Sequence, residues 1–124
     1  MNLNQVTITS SNLKKSSVFY KKLGLKLIVD ALPRYARFEC PEGNSTFSIH
    51  LGDVQISNNV CLYFEVASLE KTVDEFIKKG IVFETHPEEK TWLWKEASLL
   101  DPDGHKIIIY HAGENRLNPP WKLS

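Results

Sequence analysis

Six side chains in this chain of 124 residues carry the imidazole or thiol chemistry that metals and electrophiles look for: His50, His86, His105, His111, Cys40 and Cys61. Their spacing builds none of the compact catalytic or metal patterns. Cys40 and Cys61 are far apart and form no Cys-x-x-Cys pair, which reads as two buried free thiols in a reducing compartment. His50 lies in the strand-like run Phe47-Ser-Ile-His-Leu51, where it is either a hydrogen-bonded pocket histidine or a ligand. His86 precedes Pro87 in a polar loop, and His105 follows the turn Asp101-Pro-Asp-Gly104. His111 has the opposite parity from Ile108 on the last apolar run, so the two point to opposite faces of a strand. No Ser–His–Asp or Cys–His grouping sets a base beside a nucleophile, and no Gly-rich loop is present to cradle a phosphate.

Composition narrows the classes further. The length fits one domain, and 42% hydrophobic with 24% charged residues is ordinary for a globular protein with a real core. Lysines plus arginines equal aspartates plus glutamates, so the formal net charge is zero, which argues against a nucleic-acid partner. No apolar run approaches a membrane span, and Met1–Thr9 lacks the basic-then-apolar pattern of a signal peptide. A cytoplasmic location without membrane attachment is the expectation.

The elements that must position these groups come as a repeat. Asn12–Gly24 and Ser68–Gly80 superpose without a gap at an offset of 56, matching Leu13 with Leu69, Tyr20 with Phe76 and Gly24 with Gly80. Each reads as a helix, with Asn12 or Ser68 as N-cap and a glycine just past the end, where φ turns positive. Before each helix comes a strand, Gln5–Thr9 or Val60–Val66. After the first come strands at Leu25–Asp30, Arg34–Cys40 and Ser45–Leu51. After the second come Ile81–Thr85, a strand ending near Leu100, and His105–His111. Pro41-Glu-Gly-Asn44 and Pro102-Asp-Gly-His105 are matching hairpin turns. The chain is therefore βαβββ twice: a first module over about 3–51, a linker 52–59, a second module over about 60–112 and a tail 113–124. One copy cannot cover both faces of its sheet, so two copies forming one domain is the physical expectation.

A doubled βαβββ unit closed by Leu100-Asp-Pro-Asp-Gly-His105, with Asn12–Leu25 as its first helix, resembles the vicinal oxygen chelate superfamily. That group includes glyoxalase I, extradiol dioxygenases and bleomycin-resistance proteins. The resemblance implies an α+β fold in which two βαβββ modules make a curved, cup-shaped mixed β-sheet with helices outside. It also implies metal ligands on the first and last strand of each module in the enzymes. Carried over, those positions are Gln5, then Ser48 or His50, then Cys61, then Ile108. The enzyme pattern is mostly His and Glu, and Ile108 can ligate nothing. The expectation is therefore no metal cofactor. The alternative is a divalent ion held by Gln5, His50 and Cys61, acting in a lyase, isomerase or dioxygenase on a substrate with vicinal oxygens.

Without the metal the cup still offers a pocket. Gln5 and Thr7 share a face, as do Ser48 and His50, Cys61 and Tyr63, Trp92 and Trp94, and Ile108 and Tyr110. Together they predict a concave, aromatic-rich site for a small organic molecule. Packing readings stand beside this one: Cys61 as a small core group, and both tryptophans as filling for the core or a dimer interface. Arg34, Arg37 and Lys95 either offer charge to an anionic ligand or are solvated. In the tail, Pro119 and Pro120 exclude a regular helix or central strand, and Trp121 and Leu123 are expected to dock on the body or on a neighbouring subunit. The superfamily's habit of pairing implies a homodimer.

Overall fold

The computed structural model describes residues 1–56 and 59–124. Its elements run β1 (Gln5–Ser10), α1 (Leu13–Lys22), β2 (Lys26–Ala31), β3 (Tyr35–Glu39), β4 (Thr46–Leu51), β5 (Cys61–Glu65), α2 (Leu69–Lys78), β6 (Thr85–Glu89), β7 (Lys95–Leu100), β8 (Lys106–His111) and α3 (Glu114–Leu117). They form two four-stranded sheets, ordered β1-β4-β3-β2 and β5-β8-β7-β6. In each sheet the first and last strand of the module pair in parallel and the other pairings are antiparallel. The two βαβββ modules are thus present, each with its own mixed sheet.

Contacts divide the chain into two compact units. One holds Met1–Ile56 and the turn Asp101–Gly104; the other holds Ser57–Leu100 and His105–Ser124. In the first, Leu13 and Tyr20 of α1 are sealed in the core with Ala36, Phe38, Phe47 and Ile49. The Tyr20 ring lies 4.6 Å from Phe47 and 6.3 Å from Phe38. In the second, α2 lies against β6, β7 and β8, burying Leu69, Val73 and Phe76 along with Leu62, Ala97, Leu99, Ile107 and Ile109. Each such buried Leu, Val, Ile or Phe side chain contributes on the order of 1.5–3 kcal/mol. On β7 and β8 these are the odd positions and on β5 the even one, Leu62, which pairs with Ile107, so Cys61, Tyr63, Glu96, Ser98, Lys106 and Ile108 face the other side of the sheet.

Both helices stop in the same way. Gly24 and Gly80 have φ of 97° and 91°. The amides of Gly24 and Leu25 return to Lys21 and Tyr20, and those of Gly80 and Ile81 to Ile77 and Phe76. This is the left-handed helix end that a glycine permits without steric cost. The starts differ. The Asn12 side chain accepts from the Lys15 amide at 3.1 Å, as expected. Ser68 makes no side-chain cap, and only its backbone carbonyl takes the Thr72 amide.

Two expectations need correction here. The strand expected at Ile81–Thr85 begins only at Thr85 and continues through the segment expected to be a loop, so His86 lies on β6. Ile81 and Phe83 are buried as a connector instead. Pro87 misleads because it breaks a central strand, but β6 is an edge strand and its pairing slips between Thr85 and Glu88. The tail also differs. Residues 114–117 make one helical turn, while Trp121 and Leu123 are 57% and 92% exposed and do not dock on the chain. Among the described residues, no helix is long and apolar enough to cross a membrane.

Candidate functional site

The strand registers decide which residues are equivalent in the two modules. β1 pairs Thr7 with Ser48, and β5 pairs Tyr63 with Ile108. Thr7 and Tyr63 are repeat partners, so Ser48 is the counterpart of Ile108, and His50 is the counterpart of Tyr110. The choice between Ser48 and His50 for the first module's last-strand position therefore falls on Ser48.

The face of the first sheet that α1 leaves uncovered is polar. Ser48 sits at its centre, fully buried. Its hydroxyl accepts from the Gln5 amide nitrogen at 2.9 Å and shares a hydrogen bond with the Tyr35 hydroxyl at 2.8 Å. Gln5 also donates to Thr7 at 3.1 Å, and its amide oxygen accepts from Thr46. Arg37 Nε donates to the Tyr35 oxygen at 2.9 Å. The Ser48 bond, helped by the Arg37 bond and charge, holds the Tyr35 phenol below its ordinary pKa against the opposing effect of burial. His50 stands apart from this group, exposed and 3.2 Å from the Thr9 hydroxyl.

The uncovered face of the second sheet is different in kind. Cys61, Tyr63, Thr85, Lys90, Trp92, Glu96, Ser98, Lys106 and Ile108 line a concavity of about 520 Å³. Ile108 is buried in its floor. Glu96 is only 6% exposed, and its carboxylate accepts from the Trp92 indole N–H at 2.8 Å. Thr85 and Ser98 share a hydroxyl–hydroxyl hydrogen bond of 2.8 Å. Lys90 lies 6.0 Å from the Trp92 ring centre and is ion-paired with Glu88. Burial raises the Tyr63 phenol pKa, with the Glu96 and Cys61 charges adding to it.

Behind Tyr63 stands a rigid aromatic support. Trp94 stacks on Tyr110 at 4.8 Å and 20°, and Tyr63 meets both rings edge-on, at 6.0 and 5.5 Å. Such pairs add about 0.5–1.5 kcal/mol each beyond their burial. The Trp94 indole donates to the Asn115 carbonyl at 3.2 Å. Glu65 accepts the amides of Ala112 and Gly113 at 2.8 and 2.9 Å. Burial pushes that carboxyl up, but the two amides together with the His111 and Arg116 charges outweigh it and its pKa is lowered.

Of the expected pocket residues, Cys61, Tyr63, Trp92 and Ile108 meet at the concavity, with Trp94 and Tyr110 supporting it. Gln5, Thr7 and Ser48 meet on the first sheet, where His50 takes no part in their network. The packing reading of Cys61 is overturned: it is exposed, and Cys40 is only partly buried. Lys95 is not available to a ligand, because its odd position turns it to the helix side, where it pairs with Glu70 of α2. Sequence reasoning misses Glu96, Ser98, Lys106 and Tyr35, along with Thr85 and Lys90. The first two continue the parity of Trp92 and Trp94, and Lys106 shares that of Ile108, so the alternation held the signal. Tyr35 shares the parity of Arg37.

The four positions carried over from metal enzymes offer an amide engaged by its neighbours, a buried hydroxyl, a thiol and a hydrocarbon. Among the described residues, no three His, Cys, Asp or Glu side chains are grouped to share an ion.

Comparison with known proteins agrees with this architecture. Residues 3–113 match the family model of the glyoxalase-like domain. The chain is 30% identical over 125 residues to the uncharacterized protein YraH of Bacillus subtilis (strain 168), covering 89% of this chain and 98% of that one. A glyoxalase/bleomycin resistance protein/dioxygenase from Nocardioides superposes with a TM-score of 0.80 at 18% identity, covering 100% of this chain and 90% of that one. A family enzyme of the same description from Burkholderia phytofirmans PsJN gives a TM-score of 0.73 at 21% identity, covering 90% and 99%. At these identities the two solved structures speak for the fold alone. With the family model spanning nearly the whole repeat, the chain belongs to the glyoxalase-like domain family of the vicinal oxygen chelate superfamily.

Proposed function

We propose that this protein binds a small, partly aromatic organic molecule on the open face of its second sheet, and that recognition needs no metal ion. The observation that carries the reading is Ile108. It occupies the last-strand position where the superfamily's enzymes place a ligand, and it forms the floor of a concavity walled by Trp92 and Tyr63. An apolar floor with aromatic walls and a few placed polar groups is the usual make-up of a small-molecule site.

The donor set does not fit a resident divalent ion. Zinc, nickel, manganese and ferrous ions want imidazole and carboxylate, or several thiolates. Gln5 spends its amide on Ser48, Thr7 and Thr46. Ser48 is a neutral hydroxyl, and Ile108 has no lone pair to give. The superfamily takes in both resistance proteins that bind and enzymes that turn over, and the floor at Ile108 favours the binder.

Elemental analysis after incubation with zinc, nickel, manganese and ferrous ions and desalting tests the metal half. The expected result is no retained ion; about one ion per chain, lost in His50→Ala, would overturn it. Tryptophan fluorescence titrated with single-ring aromatic compounds tests the ligand half. Saturable quenching that disappears in Ile108→Glu, while circular dichroism is unchanged, is expected. A flat response to the whole set would refute the binding reading.

A further inference from the structure

The polar groups of the concavity are not scattered, and their order along the sheet specifies a ligand. Lys106 pairs with Leu100 across β7 and with Cys61 across β5, so these residues mark one end. Ile108 comes next, paired with Ser98 on one side and Tyr63 on the other. Glu96, carrying the Trp92 indole, marks the far end. From the level of Leu100 to Glu96 is four residues of strand, or ~13 Å between α-carbons.

The two ends have opposite charge. Lys106 is exposed and forms no ion pair among the described residues. At the other end Lys90 is ion-paired with Glu88 and also feels the Glu96 charge, so two carboxylates share one ammonium and this end keeps a net negative charge. Glu96 Oε2 takes the indole N–H, while Oε1 has no hydrogen-bond partner among the described residues. The sole sealed, unbonded side-chain polar atom among those residues is Ser17 Oγ on α1, so Glu96 Oε1 opens to the concavity instead of being shut in the core. A carboxylate that is 94% buried and has one free oxygen is poised for a further cationic N–H donor, beside the Trp92 ring that Lys90 already approaches at 6.0 Å.

Resting on the ligand-binding reading above, we infer that the second sheet's concavity recognises an elongated aromatic zwitterion. Its ammonium or amidinium end sits at Glu96 and Trp92, its flat middle lies over Ile108 beside Tyr63, and its carboxylate or equivalent anion meets Lys106. The hydroxyl pair of Thr85 and Ser98 edges the middle and satisfies a polar ring atom if one is present.

Four biphenyls test this by calorimetry on the intact chain. One carries an aminomethyl group at one para end and a carboxylate at the other. Two carry only one of those groups, and the last carries a neutral hydroxymethyl. The zwitterion is expected to bind about tenfold tighter than either singly charged compound, since each charge-assisted contact is worth roughly that factor or more. Lys106→Met should bring the zwitterion down to the affinity of the amine, and Glu96→Gln to that of the acid. Lys106 is on the surface, so its variant remains informative even if the Glu96 variant is less stable. Equal affinity of the neutral and zwitterionic biphenyls would overturn this inference while leaving the apolar pocket standing. Failure of all four to bind would also overturn it, and the single-ring titration then decides whether the pocket reading falls too.

Discussion

Replacing Tyr20 with phenylalanine isolates one hydrogen bond between α1 and the turn after β7. The Tyr20 hydroxyl donates to Asp101 Oδ2 at 2.6 Å. Tyr20 is fully buried and Asp101 is 5% exposed. The ring stays in place in Tyr20→Phe, so its contacts with Phe38 and Phe47 survive and no ring-sized cavity opens. What is lost is a donor to a desolvated carboxylate, while Asp101 Oδ1 keeps the Asp103 amide at 2.9 Å. A hydrogen bond to a charged group contributes about 1.5–3 kcal/mol, so the variant should lose about 2 kcal/mol and roughly 6–10 °C in Tm. Urea unfolding read by circular dichroism should show a lower midpoint with an unchanged slope. A second signature follows from proton linkage. Burial first, then the Asp101 charge, raise the Tyr20 phenol far above its ordinary 10.0. Its contribution is therefore complete below pH 10.0 and declines as the unfolded chain's phenol ionises above it, and Tyr20→Phe should remove one proton's worth of that alkaline slope. A loss under about 0.5 kcal/mol, with the alkaline slope unchanged, would refute the argument.

Three further outcomes are expected. Asp103 accepts from the Ser11 amide and hydroxyl at 2.9 and 2.6 Å and from the Ser16 hydroxyl at 3.1 Å. Burial pushes its carboxyl up, the serine bonds outweigh that, and its pKa falls below 3.8; the stability it contributes is present above that pH and fades as pH drops through the lowered value. Asp103→Asn should cost about 1 kcal/mol at neutral pH, after allowing for solvent, and flatten the acid limb of stability measured between neutral and strongly acidic buffers. The Tyr35 phenol should titrate below 10.0 in ultraviolet difference spectra and shift upward in Arg37→Met; no shift would disprove the role of the guanidinium. An aromatic disulfide reagent should modify exposed Cys61 first and Cys40 slowly, since burial raises the Cys40 thiol pKa, and Cys61→Ser should abolish the fast phase.

What could be read in advance depends on how local its cause is. The helices begin and end 56 residues apart, as the repeat requires, because N-cap and terminal glycine act within a few residues of themselves. Ser68 shows the limit: its type suits a cap, but the rotamer is set by its surroundings. Alternation told which residues share a face. It could not tell which face a helix would cover, and so Cys61 stayed open between pocket and core, and Lys95 between a ligand and solvent. The equivalence of Ser48 with Ile108 depends on pairing between strands some 40 residues apart in sequence, which no local pattern records. β6 was misplaced because Pro87 is a breaker only where its missing amide would be needed, and an edge strand with a slipped register does not need it.

The turn Asp101–Gly104 joins β7 to β8 of the second sheet, yet its contacts count it with the first unit. The duplicated halves are therefore not modular in inheritance. A chain cut in the linker, or a second half grafted elsewhere, would carry Asp101 away from the Tyr20 hydroxyl and Asp103 away from Ser11 and Ser16. A copied module can drift in its binding face, as the contrast between the Ser48 and Ile108 faces illustrates. Its hairpin turn cannot drift in the same way, because it answers to a helix encoded some 80 residues earlier. Melting should accordingly be one cooperative event, with the binding face free to change and the turn held constant by its partner half.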